Sequence, residues 1–378
     1  MTPFFKDIQN SIAAYGGMFN AHLHLDRAGT YHATVDIFRQ QGVDDGTALP
    51  LSGKHAIIPA IHASDCYNPA ELYDRVDGYV KDMISCGTTR ADTVVDTTTD
   101  RVGLSALEVF TRLRADNSSK IDLRIGAYSP VGFRDDEPDR WALLEEAAEL
   151  ADFVGLLPER DDIADYPEHI GFEESCRRGI GLAHRLGKTI HIHSDQANHF
   201  NEDGSEVIAQ IVRDMGLRSD PVHEPFVWLV HVISPSAYDE QRFANLAGEL
   251  AMLNIGVICC PAAALSMRQC RQLYSPTHNS IARVLDLVVA GVQVRIGSDN
   301  VCDITSPMGT PNLMDEVRVL ADAMRYYDVD FLARIAAGKP IDADGLDRLR
   351  AHLAKDKEFA EKIVGRIESG SHPLTPRA

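Results

Sequence analysis

Short apolar runs rich in Val, Ile and Phe recur along the chain, most of them followed by a stretch with helical spacing. Eight such runs read as strands: Gly17–Leu23, Thr89–Val95, Asp122–Ala127, Asp152–Leu157, Thr189–His193, Phe226–His231, Ile255–Cys260 and Val292–Gly297. In residues 69–87, Pro69 opens the first turn of a predicted helix. Leu72, Val76, Tyr79, Val80 and Met83 share one face of it, and Gly87 stops it. Comparable helical patterns occupy 139–151, 173–187, 204–216, 237–254 and 279–291. Eight strands alternating with helices predict an α/β chain folded as a (β/α)8 TIM-type barrel. The alternative, an open doubly wound sheet, carries a Gly-rich phosphate loop after its first strand, and this sequence has none there.

Two segments stand outside the alternation. Residues 26–64 read as a long, helix-poor loop after the first strand, and loops of that length are usually functional lids or disordered. From Pro307 onward, helical patterns at 313–328, 328–338 and 343–369 form a C-terminal extension, followed by a weak tail at 371–378. No repeat, low-complexity linker or composition break marks a boundary. The expectation is a single hydrolase barrel domain over 1–378, with its core at about 17–305 and its C-terminal helices at about 306–370. About seventeen residues precede the first strand, too few for an N-terminal β-domain.

With 378 residues, 44% of them hydrophobic and 25% charged, the chain can bury a large core. Its net charge of −19 (37 Lys and Arg against 56 Asp and Glu) argues against nucleic-acid or anionic-membrane partners. No window approaches the ~18–20 apolar residues of a membrane span, and the N-terminus lacks the apolar stretch of a signal peptide. Cysteines at 66, 86, 176, 259, 260, 270 and 302 are scattered without a CxxC pair, so they read as reduced thiols of a cytoplasmic protein. Cys259 and Cys260 read as packed at the end of a buried strand, ahead of a catalytic role.

The candidate chemistry sits at strand ends. Strand one ends in His22-Leu23-His24, strand five in His191-Ile192-His193, strand six in His231, and strand eight in Ser298-Asp299. In a barrel all of these reach the C-terminal mouth, where active sites form. Several histidines and one carboxylate converging there match a zinc or iron(II) site with an open position. A lone histidine at a strand end is more often a packing residue, and the other ten histidines, from His32 to His372, read that way first.

With these residues in view, the sequence resembles the amidohydrolase superfamily, in its cytosine deaminase-like branch that includes triazine-degrading aminohydrolases. The resemblance is carried by AHLHLD (21–26), HIHSDQ (191–196), LVHVIS (229–234), IGSDN (296–300) and SPMGTPNLMDEV (306–317), and it spans Gly17 to Val317. It implies that His22, His24, His193 and Asp299 are metal ligands and that His231 is the catalytic histidine. It further implies that Asp299 serves as proton carrier as well as ligand. No lysine follows strand four (Leu156-Leu157-Pro158-Glu159), so a lysine-bridged metal pair is not expected. One divalent ion is, with zinc preferred and iron or manganese as alternatives.

Where the branch has His-x-x-Glu after strand five, this chain has His193-Ser194-Asp195-Gln196, and a glutamine can hydrogen-bond but cannot shuttle a proton. The branch's glutamine after strand three is also missing, with Pro130 at that place. Cytosine itself is therefore a poor candidate substrate. Gln196, Asp195, Glu159 and Asn300 are the substrate-binding candidates, with Asp195 read as orienting a neighbour or, alternatively, relaying the proton. Asp26 is a candidate partner for a ligand histidine. Asp92 and Asp96 read as pocket-lining or capping residues, and Arg27, Arg90 and Arg160 as structural before substrate-binding. The reading is a metal-dependent hydrolase of a non-peptide C–N bond in a small heterocycle. Ring-opening of a lactam or cyclic amide is the alternative, ahead of a non-hydrolytic barrel enzyme or an inactive binding protein. An assembly of identical chains is implied by the resemblance alone.

Overall fold

The computed structural model describes residues 2–220, 223–267, 272 and 277–371. Eight strands run in the order of the sequence, all parallel: β1 Met18–Leu23, β2 Thr88–Asp96, β3 Asp122–Tyr128, β4 Phe153–Leu156, β5 Ile190–Ser194, β6 Val227–His231, β7 Gly256–Cys259 and β8 Val294–Ile296. Beyond β8, the Asp299 amide donates to the His22 carbonyl (3.0 Å) and the His24 amide to the Asp299 carbonyl (3.1 Å), which closes the sheet on itself. Gly297 makes this approach possible, because a Cβ there would fall 2.7 Å from the His22 carbonyl oxygen. The result is the expected (β/α)8 barrel, with every predicted strand present and its ends shifted by at most two residues.

Parallel strands wrapped by helices are buried on both faces and read as nearly continuous apolar runs. Phe19, Ala21, Trp228, Val230, Ile258 and Cys260 form one cluster of the core, and Val94, Tyr128, Phe153 and Leu157 form another. Arg295 stacks 4.0 Å from the centre of the Trp228 ring, covering the otherwise apolar β6 side chain. The six described cysteines other than Cys270 carry free thiols, and Cys259 and Cys260 are both buried. Cys270 and the tail from His372 lie outside the described residues.

The segment after β1 corrects the expectation of a helix-poor loop. It holds helices Tyr31–Gln40, Leu51–His55 and Ile58–Ala63. The first buries only Thr34 and Phe38, so a polar residue makes half of its inner face and hides the helical period. Three further helices lack a predicted counterpart: Pro3–Ala14 ahead of β1, Ser105–Asn117 between β2 and β3, and the short Pro261–Ser266 after β7. Pro3–Ala14 packs on helix Val329–Ala336, and Tyr15 just beyond it hydrogen-bonds Asp330. The chain forms two compact units, one ending at Lys339 and one beginning at Pro340. The second contains helix Ala343–Glu368, capped by Asp342, whose Oδ1 accepts from the Gly345 amide at 2.9 Å. Among the described residues no helix is long and apolar enough to cross a membrane.

Candidate metal centre

Strand register explains how β1 delivers two imidazoles to one point. β1 pairs with β2 at Asn20–Ala91 and next at Leu23–Thr93, so three steps on β1 match two on β2. Such an extra residue re-aims the side chains beside it. Nε2 of His22 and Nε2 of His24 come to 3.1 Å and 3.3 Å from Nε2 of His193 on β5. Oδ1 of Asp299 lies 3.3 Å from Nε2 of His24 and 3.8 Å from that of His22. All four side chains are buried, and their ligand atoms lie within 4.8 Å of one another.

This donor set fits a divalent metal ion. Metal–nitrogen bonds of about 2.0–2.1 Å in tetrahedral geometry separate ligand nitrogens by about 3.3 Å, the spacing seen between His193 and its two partners. Burial holds all three imidazoles below their ordinary pKa and so keeps them neutral, as metal ligation requires. Nδ1 of His193 donates to the Leu156 carbonyl at 3.0 Å, which leaves its Nε2 lone pair facing the other histidines. The Arg27 guanidinium reaches Nδ1 of His24 and stands 3.7 Å from Asp96.

Backbone strain concentrates at this end of the barrel. Asp299, His231 and Asp195 all have left-handed backbones, with φ of 59°, 82° and 59°, and β-branched Val232 follows at 50°. Such residues persist where the surrounding structure over-determines them, and they cluster at functional sites. Here the Val232 amide donates to Ser194, and the Ile233 and Ser234 amides donate to the Asp195 carbonyl, each at 3.1 Å. His231 is thereby turned toward His193, their ring centres 5.5 Å apart, and its Nδ1 is buried without a partner. Burial pushes its imidazole down to about 4, against the pull of Asp299.

The remaining candidates fall in two groups. Gln196 donates through Nε2 to Oε2 of Glu159 at 2.7 Å, joining the ends of β5 and β4. Asp195 accepts from the Ser205 amide at the start of helix Gly204–Asp214, at 3.1 Å, and Asn300 donates to Asp303 at 2.5 Å within the loop after β8. Asp26 departs from the expectation of a histidine partner. Its oxygens accept from the Arg27 amide (3.0 Å), the Asp96 amide (2.9 Å) and the Tyr67 hydroxyl (3.0 Å), so it ties β1 to β2 instead. Asp92 pairs with Arg90 at 3.1 Å, and Arg160 stacks on Tyr166.

Three residues that strand-end reading missed also belong to the surroundings. Tyr128, at the end of β3, packs edge-on against His24 and lies 5.6 Å from His193. His55, at the end of helix Leu51–His55, feels Arg27, Arg160 and His193, and burial first of all depresses its imidazole. His62 sits between two carboxylates, with Nδ1 2.7 Å from Asp100 and Nε2 3.1 Å from Asp96. A tyrosine closing strand three was the only one of these signals visible locally.

His62 anchors the segment after β1 to the end of β2 by charge. Burial alone would depress its imidazole, but Asp100 and Asp96 outweigh that and lift it to about 9. Tyr67, Thr98, Asp26 and Arg27 complete the network around it. Because the folded-state value lies above the unfolded one near 6.5, the protonated imidazole adds stability that is full below pH 6.5. That contribution is lost as pH rises through 9. The variant His62→Gln should unfold about 3 kcal/mol more easily at pH 6, with the gap to wild type closing by pH 10. Chemical denaturation at both pH values checks this, and an unchanged gap contradicts the charged pairing.

No family model matches the chain. An uncharacterized protein of Haemophilus influenzae is 24% identical over 285 residues, covering 74% of this chain and 94% of that one. The fold is similar to that of 5-methylcytosine deaminase from Klebsiella pneumoniae liganded with 5-fluorocytosine, with TM-score 0.71 and 22% identity over 89% of this chain and 74% of that one. It is similar also to N-isopropylammelide isopropylaminohydrolase from Burkholderia multivorans, with TM-score 0.64 and 21% identity over 89% and 74% of the two chains. For atrazine chlorohydrolase from Arthrobacter aurescens complexed with zinc, the TM-score is 0.57 and the identity 16% over 85% and 69%. The barrel is thus of the type found in these deaminases and hydrolases.

Proposed function

We propose that this chain is a metal-dependent hydrolase of the amidohydrolase superfamily that cleaves a non-peptide C–N bond of a small heterocycle. The observation that carries this reading is the meeting of His22, His24, His193 and Asp299 at the C-terminal end of a (β/α)8 barrel. These four side chains would hold one divalent metal ion, zinc before iron or manganese. When bound, it brings the pKa of water to about 7 and polarises the atom under attack. The zinc complex of a chain with the same fold supports that choice.

The protein's own groups divide the remaining work. Asp299 takes a proton from the attacking water at a carboxylate oxygen and passes it to the departing nitrogen. His231, neutral because of its burial, offers a ring N–H to the oxygen of the attacking water and holds it against the ring carbon. His193, fixed by the Leu156 carbonyl, and the strained backbones at His231 and Asp299 hold these groups in place before substrate arrives.

Mass spectrometry of the zinc-loaded protein with aminopyrimidines, aminotriazines, hydantoins and lactams tests the reaction class. Exchange of an amino group for oxygen, with release of ammonia or an amine, is the expected product. Gain of one whole water would mean ring-opening instead, and no product from any compound would count against the heterocycle assignment.

A further inference from the structure

Water addition to an amidine-like ring carbon places charge on the adjacent ring nitrogen, and that nitrogen needs a proton from a nearby acid. Asp299 is occupied with the proton of the water, and His231 with its oxygen. Gln196, three residues beyond the ligand His193, has an amide that holds no transferable proton. The acid must therefore come from elsewhere around the mouth.

The ends of β4 and β5 run side by side here. Leu156 on β4 meets His193 on β5, and three residues further along each chain segment Glu159 meets Gln196. Three carboxyl groups gather at this place, Asp195 buried and Glu159 and Glu202 half-buried, and their hydrogen bonds distinguish them. Asp195 accepts from the Ser205 amide with both oxygens, at 3.1 Å and 3.3 Å. Glu202 accepts through Oε2 from the Ala197 amide at 2.8 Å and from the Ser234 hydroxyl. Glu159 accepts from the Gln196 side chain through Oε2, and its Oε1 is buried with no hydrogen-bond partner.

Resting on the hydrolase reading above, we propose that Glu159 is a catalytic residue that protonates the ring nitrogen of the substrate, with Gln196 as the residue that positions it. As the water oxygen bonds to the ring carbon, the Glu159 carboxyl gives its proton to the adjacent ring nitrogen, and Asp299 accepts the first proton of the water. When the C–N bond to the amino group breaks, Asp299 returns its proton to the leaving nitrogen, which departs as ammonia. The Glu159 carboxylate then takes the remaining hydroxyl proton as the C=O bond forms, so both acids end as they began. The product carries the oxygen of the water on carbon and a proton on the ring nitrogen.

The electrostatic setting suits the role. Burial first, then the neighbouring Asp195 and Asp162, raises the Glu159 carboxyl to about 7, and Glu202 and Cys176 also face it. The opposing influences are the hydrogen bonds from the side chain and the backbone of Gln196. A carboxyl poised there holds its proton at neutral pH and still releases it in the reaction.

Two measurements test the assignment on the full-length protein. Carbon NMR of the glutamate carboxyl groups, with Glu159→Gln identifying the resonance, is expected to show Glu159 titrating near pH 7. In turnover, Glu159→Gln should keep its bound metal and lose about 10²–10⁴-fold in kcat. The fall of wild-type activity as pH rises through 7 should vanish with it, and the exchange Glu159→Gln with Gln196→Glu should restore part of the rate. A Glu159 resonance already ionised at pH 5, or a variant with undiminished turnover and the same pH profile, overturns this assignment and leaves the hydrolase reading intact. Wild-type protein that holds metal yet turns over none of the heterocycles overturns both.

Discussion

Replacing Asp299 by Asn is expected to lower kcat by about 10²–10⁴-fold, or roughly 3–5 kcal/mol of barrier, while leaving the bound metal in place. Asparagine preserves the shape of the side chain and an oxygen that can stay directed at the histidines, but removes the base. It also tolerates the left-handed backbone at this position, where φ is 59°. Both backbone hydrogen bonds that close the barrel, to His22 and from His24, are made by main-chain atoms and survive the change. Metal analysis of the purified variant alongside steady-state kinetics separates loss of the proton carrier from loss of the site. A variant that retains the wild-type rate would assign the proton transfer to another group.

The second large effect is expected at His193. Its Nε2 is the atom that His22 and His24 both approach, at 3.1 Å and 3.3 Å, so truncation to alanine removes the hub of the proposed donor set. His193→Ala should bind metal more weakly by well over the 10–100-fold that loss of an outer hydrogen bond costs. Added zinc should then raise the melting temperature of wild type but not of the variant, since a ligand stabilises only the state that binds it. His191 is the control two residues earlier on β5, stacked 4.3 Å from the ring centre of Phe153 and outside the group of four. His191→Ala should lose stability through the cavity it leaves, yet keep the response to zinc. Equal loss of the zinc response in both variants would mean that the site fails through general damage to β5.

The barrel and the group of four side chains that meets in it were legible in the chain for a common reason. Strands of a parallel barrel are short and buried on both faces, so runs such as Phe226–His231 and Ile255–Cys260 stand out even without alternation. The chemical residues lie at the ends of those runs, and strand order then carries His22, His24, His193 and Asp299 to one end of the barrel. Pairings between segments left no such trace. Gln196 meets Glu159 across 37 residues, and His62 meets Asp96 across 34, with no period linking either pair. Helix Tyr31–Gln40 stayed hidden because Thr34 occupies its inner face. The role expected of Asp26 fell to backbone geometry, since the adjacent strand offers its carboxylate the Asp96 amide before any imidazole. The strained backbones at His231 and Asp299 follow from how the strand ends fold back, which residue identity alone does not encode.

The central claim is that His22, His24, His193 and Asp299 hold a metal ion on which hydrolysis depends. Elemental analysis of the purified chain, repeated after chelation and after readdition of zinc, iron or manganese, tests it most directly when turnover is followed in the same samples. About one divalent ion per chain is expected, with activity lost when the ion is removed and regained on readdition. A chain that purifies without stoichiometric metal and hydrolyses its substrate unchanged after chelation would contradict it.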